Sequence, residues 1–401
     1  AWAASLVFLW PVLGANFRGL PPGTARWVTG AGLLLSYAVY AMVLLLTYRY
    51  ITTRVRTPDD APNGEPIGRR ALLVGGVGVV AGLATAGLLR RLYNLSTFSY
   101  DGLRLRPADF GPITSNDKFY VVTKNIVDPS VAKSAWRLEV TGMVERPHTY
   151  SFGDLTALPS TTQETTLMCI SNGVGDTLIS NAAWKGVPMR TLLGAASPQR
   201  GVVEIVLHGA DGYTDTFAID KAMDPATLVV YEMNGEPLPE RHGFPVRVIA
   251  PGLFGEKNVK WVTQIELVDH DAKGFYEQQG WGPSFAIPIR SGFYAPDLRR
   301  GIQAGSPVTL KGFAFAPTEG VSKVEVSTNG GRSWQPATIN HPGTPLSWSL
   351  WSYTWVPAKA GNYKLVVRAF DTTGAVQNGR FRRTVPQGGT GYHRVTARVQ
   401  A

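Results

Sequence analysis

The sequence predicts an α+β fold in three parts: transmembrane helices, a mixed α/β domain and a β-sandwich. Long apolar runs without charge are confined to residues 1–93. Residues 100–290 mix helix-like and strand-like patterns without the regular alternation of a doubly wound sheet. From about residue 300 to 390, short alternating strands separated by turns are typical of a sandwich.

Three uncharged apolar runs predict a membrane anchor: about residues 1–17, 27–48 and 71–89. The second run lies between Arg26 and Arg49 and is long enough to span a bilayer. The first is interpreted as the end of another span. The third is either a span or the apolar part of a signal sequence. Because the sequence starts inside an apolar run and without Met, we expect the natural chain to begin before Ala1.

The arginines around these runs predict their orientation. The loop 49–70 carries five arginines and the loop 18–26 carries two, so we expect the longer loop to be cytoplasmic. The rest of the chain would then be extracytoplasmic, attached to the cell membrane, although Arg90 and Arg91 oppose this orientation. The pair Arg69-Arg70 resembles a twin-arginine export signal without its usual flanking residues. An ordinary positive-inside pair is the alternative.

The formal charge of +10 raises the question of nucleic acid. No block of Lys and Arg alternates with aromatic residues, and several arginines flank the apolar runs. We therefore attribute the charge to membrane topology and expect no nucleic-acid partner.

Local patterns predict the individual elements of the two later domains. Strands are expected at 119–122, 136–142, 202–207, 228–232, 246–250, 308–315, 321–327 and 363–369. Ser151 is a candidate N-cap of a short helix. Trp334, Trp348, Trp351 and Trp355 are expected in the core and at interfaces of the sandwich.

Cys169 is the only cysteine in the chain. It cannot form an intramolecular disulfide or a zinc site with several cysteines, which leaves burial, nucleophilic catalysis or single metal ligation. Burial as a small apolar side chain is the usual role of such a residue. However, Cys169 ends an apolar run and is followed by the polar and glycine-containing segment 171–176. This change places it at the mouth of a pocket, where a thiolate suits a soft or high-valent metal.

A second dense motif occupies residues 231–261. Four basic side chains fall within it: His242, Arg247, Lys257 and Lys260. Gly252 and Gly255 allow backbone amides to approach an anion. Singly, a histidine here would be a core residue and a lysine a surface charge, but together these groups predict a phosphate grip.

These motifs resemble those of the sulfite oxidase family of molybdenum enzymes. The segment containing MNG, HGFPVRV and VKW is similar to the cofactor-binding signature of the family, and CISN with AAWKGVPMRTLL to its metal-binding stretch. The segments KVEVSTNGGRSW and YKLVVRAFDTTGAVQ resemble its immunoglobulin-like dimerisation domain. The resemblance covers about residues 100–385.

The resemblance implies a sulfite-oxidase-type molybdopterin domain at 100–290 and an immunoglobulin-like dimerisation domain at 300–390. The implied cofactor is molybdenum–molybdopterin, with Cys169 as the thiolate ligand to the metal. The other implied contacts are His242 and Arg247 to the phosphate, Asn258, Val259 and Lys260 around the cofactor, Asp211 to the pterin ring, and Asn116, Phe119 and Tyr120 on its other side. Tyr276 is the implied catalytic tyrosine of the pocket, with Trp281 as the alternative.

The chain departs from the family where sulfite oxidases place three substrate arginines. The corresponding positions hold Val174, Val122 and Glu319. Since sulfite is a small dianion that needs such charges, their loss argues against a simple sulfite pocket. Arg290 or Lys124 is a candidate for compensation.

We therefore expect an oxidoreductase that transfers an oxygen atom to or from a small sulfur or nitrogen compound. The chain has no C-x-x-C-H haem motif, so electrons are expected to pass through a separate carrier such as a cytochrome. A homodimer is expected from the resemblance. Two alternatives remain: a reductase similar to the periplasmic methionine-sulfoxide reductases, and a non-enzymatic, membrane-tethered binding module.

Overall fold

The computed structural model describes residues 22–55, 105, 107–125, 128–298 and 301–401. The chain divides into two compact units, one of residues 1–100 with 123–127, the other of residues 101–122 with 128–401. In the first unit, helix α1 spans Pro22–Val55. Its segment Gly30–Arg49 is long and apolar enough to cross a membrane. The predicted run 27–48 lies in this helix, whereas the predicted runs 1–17 and 71–89 lie outside the described residues.

The second unit begins with a mixed domain of two sheets. Its strands are β1 (Arg137–Gly142), β2 (His148–Ser151), β3 (Thr161–Met168), β4 (Ile179–Pro188), β5 (Glu204–Gly209), β6 (Thr214–Ala218), β7 (Leu228–Met233), β8 (Glu236–Pro237), β9 (Arg247–Ile249) and β10 (Val262–Val268). Its helices are α2 (Phe152–Ala157), α3 (Met189–Ala196) and α4 (Ile219–Met223). Short 3-10 turns occupy Pro107–Asp109, Glu240–His242, Gly255–Lys257 and Glu277–Gln279.

The first sheet has the order β2-β1-β10-β5-β6, with β1 and β10 parallel. The second has the order β3-β4-β7-β8, with β9 paired to β7. Alternate residues of β1, such as Leu138 and Val140, are fully buried, as the period-two pattern predicts. They share one core with Val187 and Val229 of the second sheet. The phosphate motif is anchored in this core through Val248, and Cys169 packs in a neighbouring apolar cluster with Ile249 of the same strand, β9.

Helix α2 confirms the predicted N-cap at Ser151. Its hydroxyl accepts from the Asp154 amide at 3.1 Å, and the Asp154 carboxylate accepts from the Ser151 amide at 2.9 Å. The two bonds form a capping box, which satisfies donors that the helix itself cannot pair.

The predicted strand at 119–122 is wrong, because this segment is a loop. Its apolar character reflects burial rather than strand pairing. Phe119 is buried against Trp184 in an edge-on contact, and the Tyr120 amide donates to the Ser180 hydroxyl at 3.2 Å. Side-chain burial and a side-chain acceptor take the place of a neighbouring strand.

The sandwich has one sheet of order β11-β13-β17-β16 and another of order β12-β19-β18-β14-β15. Its strands are β11 (Arg290–Ala295), β12 (Ile302–Gln303), β13 (Val308–Phe315), β14 (Val321–Ser327), β15 (Gln335–Pro336), β16 (Thr338–His341), β17 (Ser349–Trp355), β18 (Gly361–Asp371) and β19 (His393–Gln400). The predicted strands 308–315 and 321–327 match β13 and β14. Strands β11 and β19 extend the sandwich beyond the predicted limits of 300 and 390.

The sandwich packs directly on the strand that leads to Cys169. The Trp348 amide donates to the Thr166 hydroxyl at 2.9 Å, and its indole N–H donates to the carbonyl of Pro112 at 3.1 Å. Met168 and Ile170, on either side of the cysteine, share an apolar cluster with Trp348. Trp351 and Trp355 are buried in the sandwich core, so three of the four tryptophans are core residues and Trp334 is half-buried.

Candidate active site

Cys169 is the first residue after β3, at the change from strand to loop that the sequence predicts. The last four residues of β3 are buried, so the strand delivers the thiol to the interior. The Cys169 amide donates to the Leu178 carbonyl at 3.0 Å, and the Cys169 carbonyl accepts from the Asn172 amide at 2.9 Å. Burial, followed by the nearby Glu256 carboxylate, raises the pKa of Cys169 to about 12. Without a positive ligand, this thiol is therefore protonated.

Arg247 is the centre of the phosphate motif and is nearly fully buried. Its terminal nitrogens donate to the carbonyls of His242 and Asn258, both at 3.0 Å, and its Nε has no partner. Burial lowers the pKa of Arg247 to about 10. A buried guanidinium with an unused N–H is costly unless an anion joins it, so the site has the charge and the donor that a phosphate requires.

His242 lies beside Arg247 and is held from the opposite side by the Asn116 loop. Its Nε2 bonds the Asn116 carbonyl at 3.0 Å, which places a proton on Nε2. Its ring meets Phe119 edge-on. Burial lowers the pKa of His242 to about 4, so Nδ1 is an acceptor unless an arriving phosphate raises this pKa. The structure thus brings four predicted site residues together.

Lys260 adds a second, half-buried cation to this group. Its Nζ donates to the Arg241 carbonyl at 3.1 Å and lies 4.3 Å from the centre of the Trp261 ring. Burial lowers the pKa of Lys260 to about 8. Asp211 lies in the turn between β5 and β6 and accepts from the Tyr213 amide at 3.0 Å. Gly209, two residues before Asp211, lies against Lys260, because a Cβ placed on Gly209 would be 2.9 Å from the Lys260 carbonyl oxygen. Asp211 and Lys260 therefore line the same side of the candidate site.

The side chains of Asn258 and Val259 stabilise the backbone around the candidate site. The Asn258 side chain accepts from the Ala250 amide at 2.7 Å and donates to the Phe254 carbonyl at 2.9 Å, which fixes the glycine-containing loop between them. The Val259 side chain packs in the main core. Contact of these two residues with a cofactor would therefore be made mainly by their backbone.

Gly255 leaves space where the Cys169 and phosphate motifs meet. A Cβ at this position would lie 2.6 Å from the Tyr120 hydroxyl and 3.4 Å from the Met168 carbonyl. Only glycine fits there. Burial raises the pKa of Tyr120 well above its usual range, so its hydroxyl is a neutral donor.

Tyr276 and its alternative Trp281 are stacked, with ring centres 4.1 Å apart. They therefore occupy one aromatic group, which also includes Tyr213 and Phe275. The Tyr213 hydroxyl donates to Asp215 at 2.6 Å and lies 3.2 Å from the Glu256 carbonyl oxygen. These two contacts link the aromatic group to the turn that contains Gly255.

Lys257 lies beneath this group in a buried ion network. Its Nζ lies 2.7 Å from an Asp215 oxygen and 2.8 Å from a Glu277 oxygen. Burial alone would lower the pKa of Lys257, but the two carboxylates raise it above its usual value. Lys257 therefore neutralises these acids and is not a phosphate ligand, contrary to the grouping expected from sequence.

Glu256 is a residue that sequence reasoning missed. Both of its carboxylate oxygens are buried without a hydrogen-bond partner. Burial raises the pKa of Glu256 to about 8, so it is a neutral acid at pH 7. Its position in the family signature is unspecified, and only the fold reveals that it lies near Cys169.

The two candidates for compensating the missing arginines both make hydrogen bonds within the chain. Arg290 is buried and donates to the carbonyls of Asn172 at 3.0 Å, Gly173 at 2.8 Å and Gly389. It therefore fixes the loop after Cys169. Lys124 belongs to the other compact unit, where it donates to Asn125. Val174 is half-buried in the cysteine loop.

The donor set fits a molybdenum–molybdopterin group. Within the described part of the chain, buried side-chain polar atoms without a partner belong to Asn172, Arg247, Glu256 and His341, and the first three lie in or beside the two motifs. No three His, Cys, Asp or Glu side chains among the described residues cluster as a metal site. A metal at Cys169 would thus take its other ligands from the cofactor itself.

Comparison with known proteins agrees with this architecture. Residues 125–276 match the family described as the oxidoreductase molybdopterin binding domain, and residues 285–400 the Mo-co oxidoreductase dimerisation domain. The chain is 30% identical to sulfite oxidase of Gallus gallus over 66% of this chain and 68% of that protein. It is 29% identical to nitrate reductase 1 (NADH) of Nicotiana tabacum over 59% of this chain and 33% of that protein.

Among solved structures, the sulfane dehydrogenase SoxCD from Paracoccus pantotrophus shares the fold, with a TM-score of 0.65 at 23% identity. The match covers 77% of this chain and 87% of that one.

The fold and the donor set define a molybdopterin-binding oxidoreductase. The chain belongs to the sulfite oxidase family of molybdopterin-dependent oxidoreductases. The predicted family, its enzymatic class and its molybdenum–molybdopterin cofactor are thereby confirmed. The chain spans about a third of the length of the plant nitrate reductases that it matches.

Proposed function

We propose that this chain catalyses oxygen-atom transfer on a small sulfur or nitrogen compound and exchanges electrons with a separate redox protein. Its relatives include sulfite oxidases and nitrate reductases, whose names refer to a sulfur compound and a nitrogen compound. The observation that carries the proposal is the pairing of a buried thiol at a strand end with a buried arginine whose Nε lacks a partner.

Cys169 would be the one protein ligand to molybdenum, and Arg247 would hold the phosphate of the cofactor with Lys260. His242 would join them once phosphate supplies the charge that favours a second proton on its ring. Asp211 lies at the pterin side, and Asn116, Phe119 and Tyr120 line the opposite side. The bound cofactor would supply two-electron redox chemistry and oxygen-atom transfer.

The protein would position substrate and exclude water. The Tyr120 hydroxyl and the neutral Glu256 carboxyl are hydrogen-bond donors near Cys169. Tyr276, stacked on Trp281, is the catalytic tyrosine we propose, and Tyr213 connects it to the Gly255 turn. These groups could donate to an oxygen of a substrate without adding charge.

The charge around Cys169 favours a substrate less anionic than sulfite. Val174 occupies the arginine position, Arg290 donates to backbone carbonyls, and Glu256 is a neutral acid, so these three residues offer no free positive charge to an anion. A sulfoxide reductase is therefore the second candidate function, since an uncharged oxide needs hydrogen-bond donors rather than cations. The sandwich, which single-domain reductases of this kind lack, favours the sulfite-oxidase-type alternative.

The proposed setting is an enzyme anchored in the cell membrane by α1, with the catalytic domain extracytoplasmic. The length and apolar composition of Gly30–Arg49 support the anchor. The match of residues 285–400 to a dimerisation domain supports a homodimer.

Elemental analysis of the purified protein tests the proposal. We expect near-stoichiometric molybdenum, and at least a tenfold loss of molybdenum and activity in Cys169→Ser with unchanged circular dichroism. The matched control is Ser347→Ala, a buried site in the sandwich. Molybdenum at background level in the wild type, or full activity in Cys169→Ser, would contradict it. Turnover of sulfite against dimethyl sulfoxide, with artificial electron carriers, then separates the two candidate functions.

A further inference from the structure

Residues 378–391 form a short hairpin of the sandwich, which we call the strap. Within it, Arg382 and Thr390 exchange backbone hydrogen bonds of 3.1 and 3.3 Å. The strap packs against the loop that follows Cys169. A Cβ placed on Gly391 would lie 3.5 Å from Phe381 Cα and 3.5 Å from Val174 Cγ2, so this glycine lies between strap and loop.

A chain of hydrogen bonds joins the strap to Cys169. Arg290 donates to the Gly389 carbonyl in the strap and, at 3.0 Å, to the Asn172 carbonyl. The Asn172 amide in turn donates to the Cys169 carbonyl at 2.9 Å. One buried guanidinium therefore connects the surface hairpin to the residue that would bind the metal.

The outer face of the strap is basic and carries an exposed aromatic ring. Arg380, Arg382 and Arg383 are exposed, and none of them makes an ion pair with another described residue. Phe381 is 73% exposed, more than any other large apolar side chain in the described part of the chain. Residues 372–401 contain five arginines and no Asp or Glu. Arginine and aromatic side chains are enriched in protein interfaces, so this combination indicates a docking surface.

The positive charge of the strap indicates which kind of partner binds there. A second copy of the chain meeting strap to strap would bring like charges together, which costs several kcal/mol. An acidic protein face complements the three arginines. The proposed oxygen-atom transfer moves two electrons, and the given sequence contains no C-x-x-C-H haem motif, so we assign their uptake or supply to a separate redox protein.

We propose that the strap is the docking surface for the electron carrier of this enzyme, a redox protein with an acidic face. The inference rests on the proposed function, because it assigns the partner of that site. Two molecules of a one-electron carrier would dock in succession for each oxygen atom transferred. Docking at the strap brings the carrier to the surface element that Arg290 ties to the Cys169 loop.

The test uses the whole protein and an acidic c-type cytochrome as the probe. Arg380→Glu/Arg383→Glu reverses two charges whose side chains make no hydrogen bond with the described residues. Arg200→Glu/Lys311→Glu is the matched control, because it changes the net charge equally at exposed positions elsewhere. Equilibrium binding of the cytochrome is measured at low and high salt. The rate at which dithionite-reduced protein reduces the ferricytochrome is followed in parallel.

We expect the strap variant to weaken binding and slow electron transfer at least tenfold at low salt, and the control to change both less than about threefold. Raising the salt should reduce the wild-type rate and remove the difference. Turnover with a small dye and molybdenum content should be unchanged. Binding within twofold of the wild type in the strap variant would overturn the proposal. Loss of binding to phosphatidylglycerol vesicles with unchanged cytochrome binding would overturn it in favour of a lipid surface.

The two proposals fail separately. Protein without molybdenum that still binds the cytochrome through the strap would contradict the proposed function and leave the docking surface standing. Loaded, active protein whose cytochrome binding ignores the strap charges would contradict only the docking surface.

Discussion

The buried ion network at Lys257 allows a quantitative test of the fold beneath the site. In Lys257→Met, Asp215 and Glu277 lose their shared cation, and leaving buried charge unpaired costs about 3–5 kcal/mol. Each acid keeps other donors: the Tyr213 hydroxyl at 2.6 Å for Asp215, and the Thr216 hydroxyl at 3.0 Å for Glu277. The lower end of the range, about 3 kcal/mol, is therefore expected. For a domain of this size it corresponds to a fall in Tm of roughly 6–12 °C.

Thermal unfolding of the loaded protein at a fixed scan rate measures this loss. The matched control is Lys185→Met, whose pair with Glu232 at 2.9 Å is partly exposed, with 39% of the Lys185 side chain accessible. Solvent screens such partly exposed pairs, so the control should lose much less Tm than Lys257→Met.

The pH dependence has a defined sign. Burial already raises the pKa of Asp215 although Lys257 opposes this, so the loss of Lys257 raises it further; the penalty is present at pH 8 and shrinks as the pH falls through the raised pKa of Asp215. The loss in Lys257→Met should therefore be smaller at pH 5. Neutralising both acids as well, in Lys257→Met/Asp215→Asn/Glu277→Gln, should recover stability. Equal losses in the Lys257 and Lys185 variants, or no recovery on neutralisation, would refute the reasoning.

Two further outcomes are expected. Arg247→Lys keeps a charge but loses the fork that holds two carbonyls and offers Nε, so molybdenum content should fall at least fivefold, whereas exposed Arg146→Lys should retain it. Glu256→Gln removes a carboxyl whose pKa is raised to about 8 in the folded state, so folding no longer takes up a proton between about pH 4.5 and 8. The variant should match the wild-type Tm near pH 4.5 and exceed it at pH 8, and a difference independent of pH would show that the carboxyl is ionised.

The sequence predicted the elements whose signals are local. Alternating apolar and polar residues identified β1, β13 and β14, and the capping residue identified the start of α2. It failed at 119–122, where apolar residues are buried in a loop without a partner strand. A local sequence pattern cannot distinguish a buried loop from a strand. Both bury apolar side chains, but only a strand pairs its backbone with a neighbouring strand.

The candidate site divides in the same way. The resemblance of the motifs around Cys169 and in 231–261 to those of the sulfite oxidase family indicated the family and its cofactor before any coordinates. The tertiary structure decided which charges are available. It paired Lys257 with two acids, committed Arg290 to three carbonyls, and buried Glu256 near the thiol. These outcomes depend on distances between residues far apart in the chain. Burial and neighbouring opposite charges set the pKa of each group and decide whether it is already paired, and no local sequence pattern encodes them.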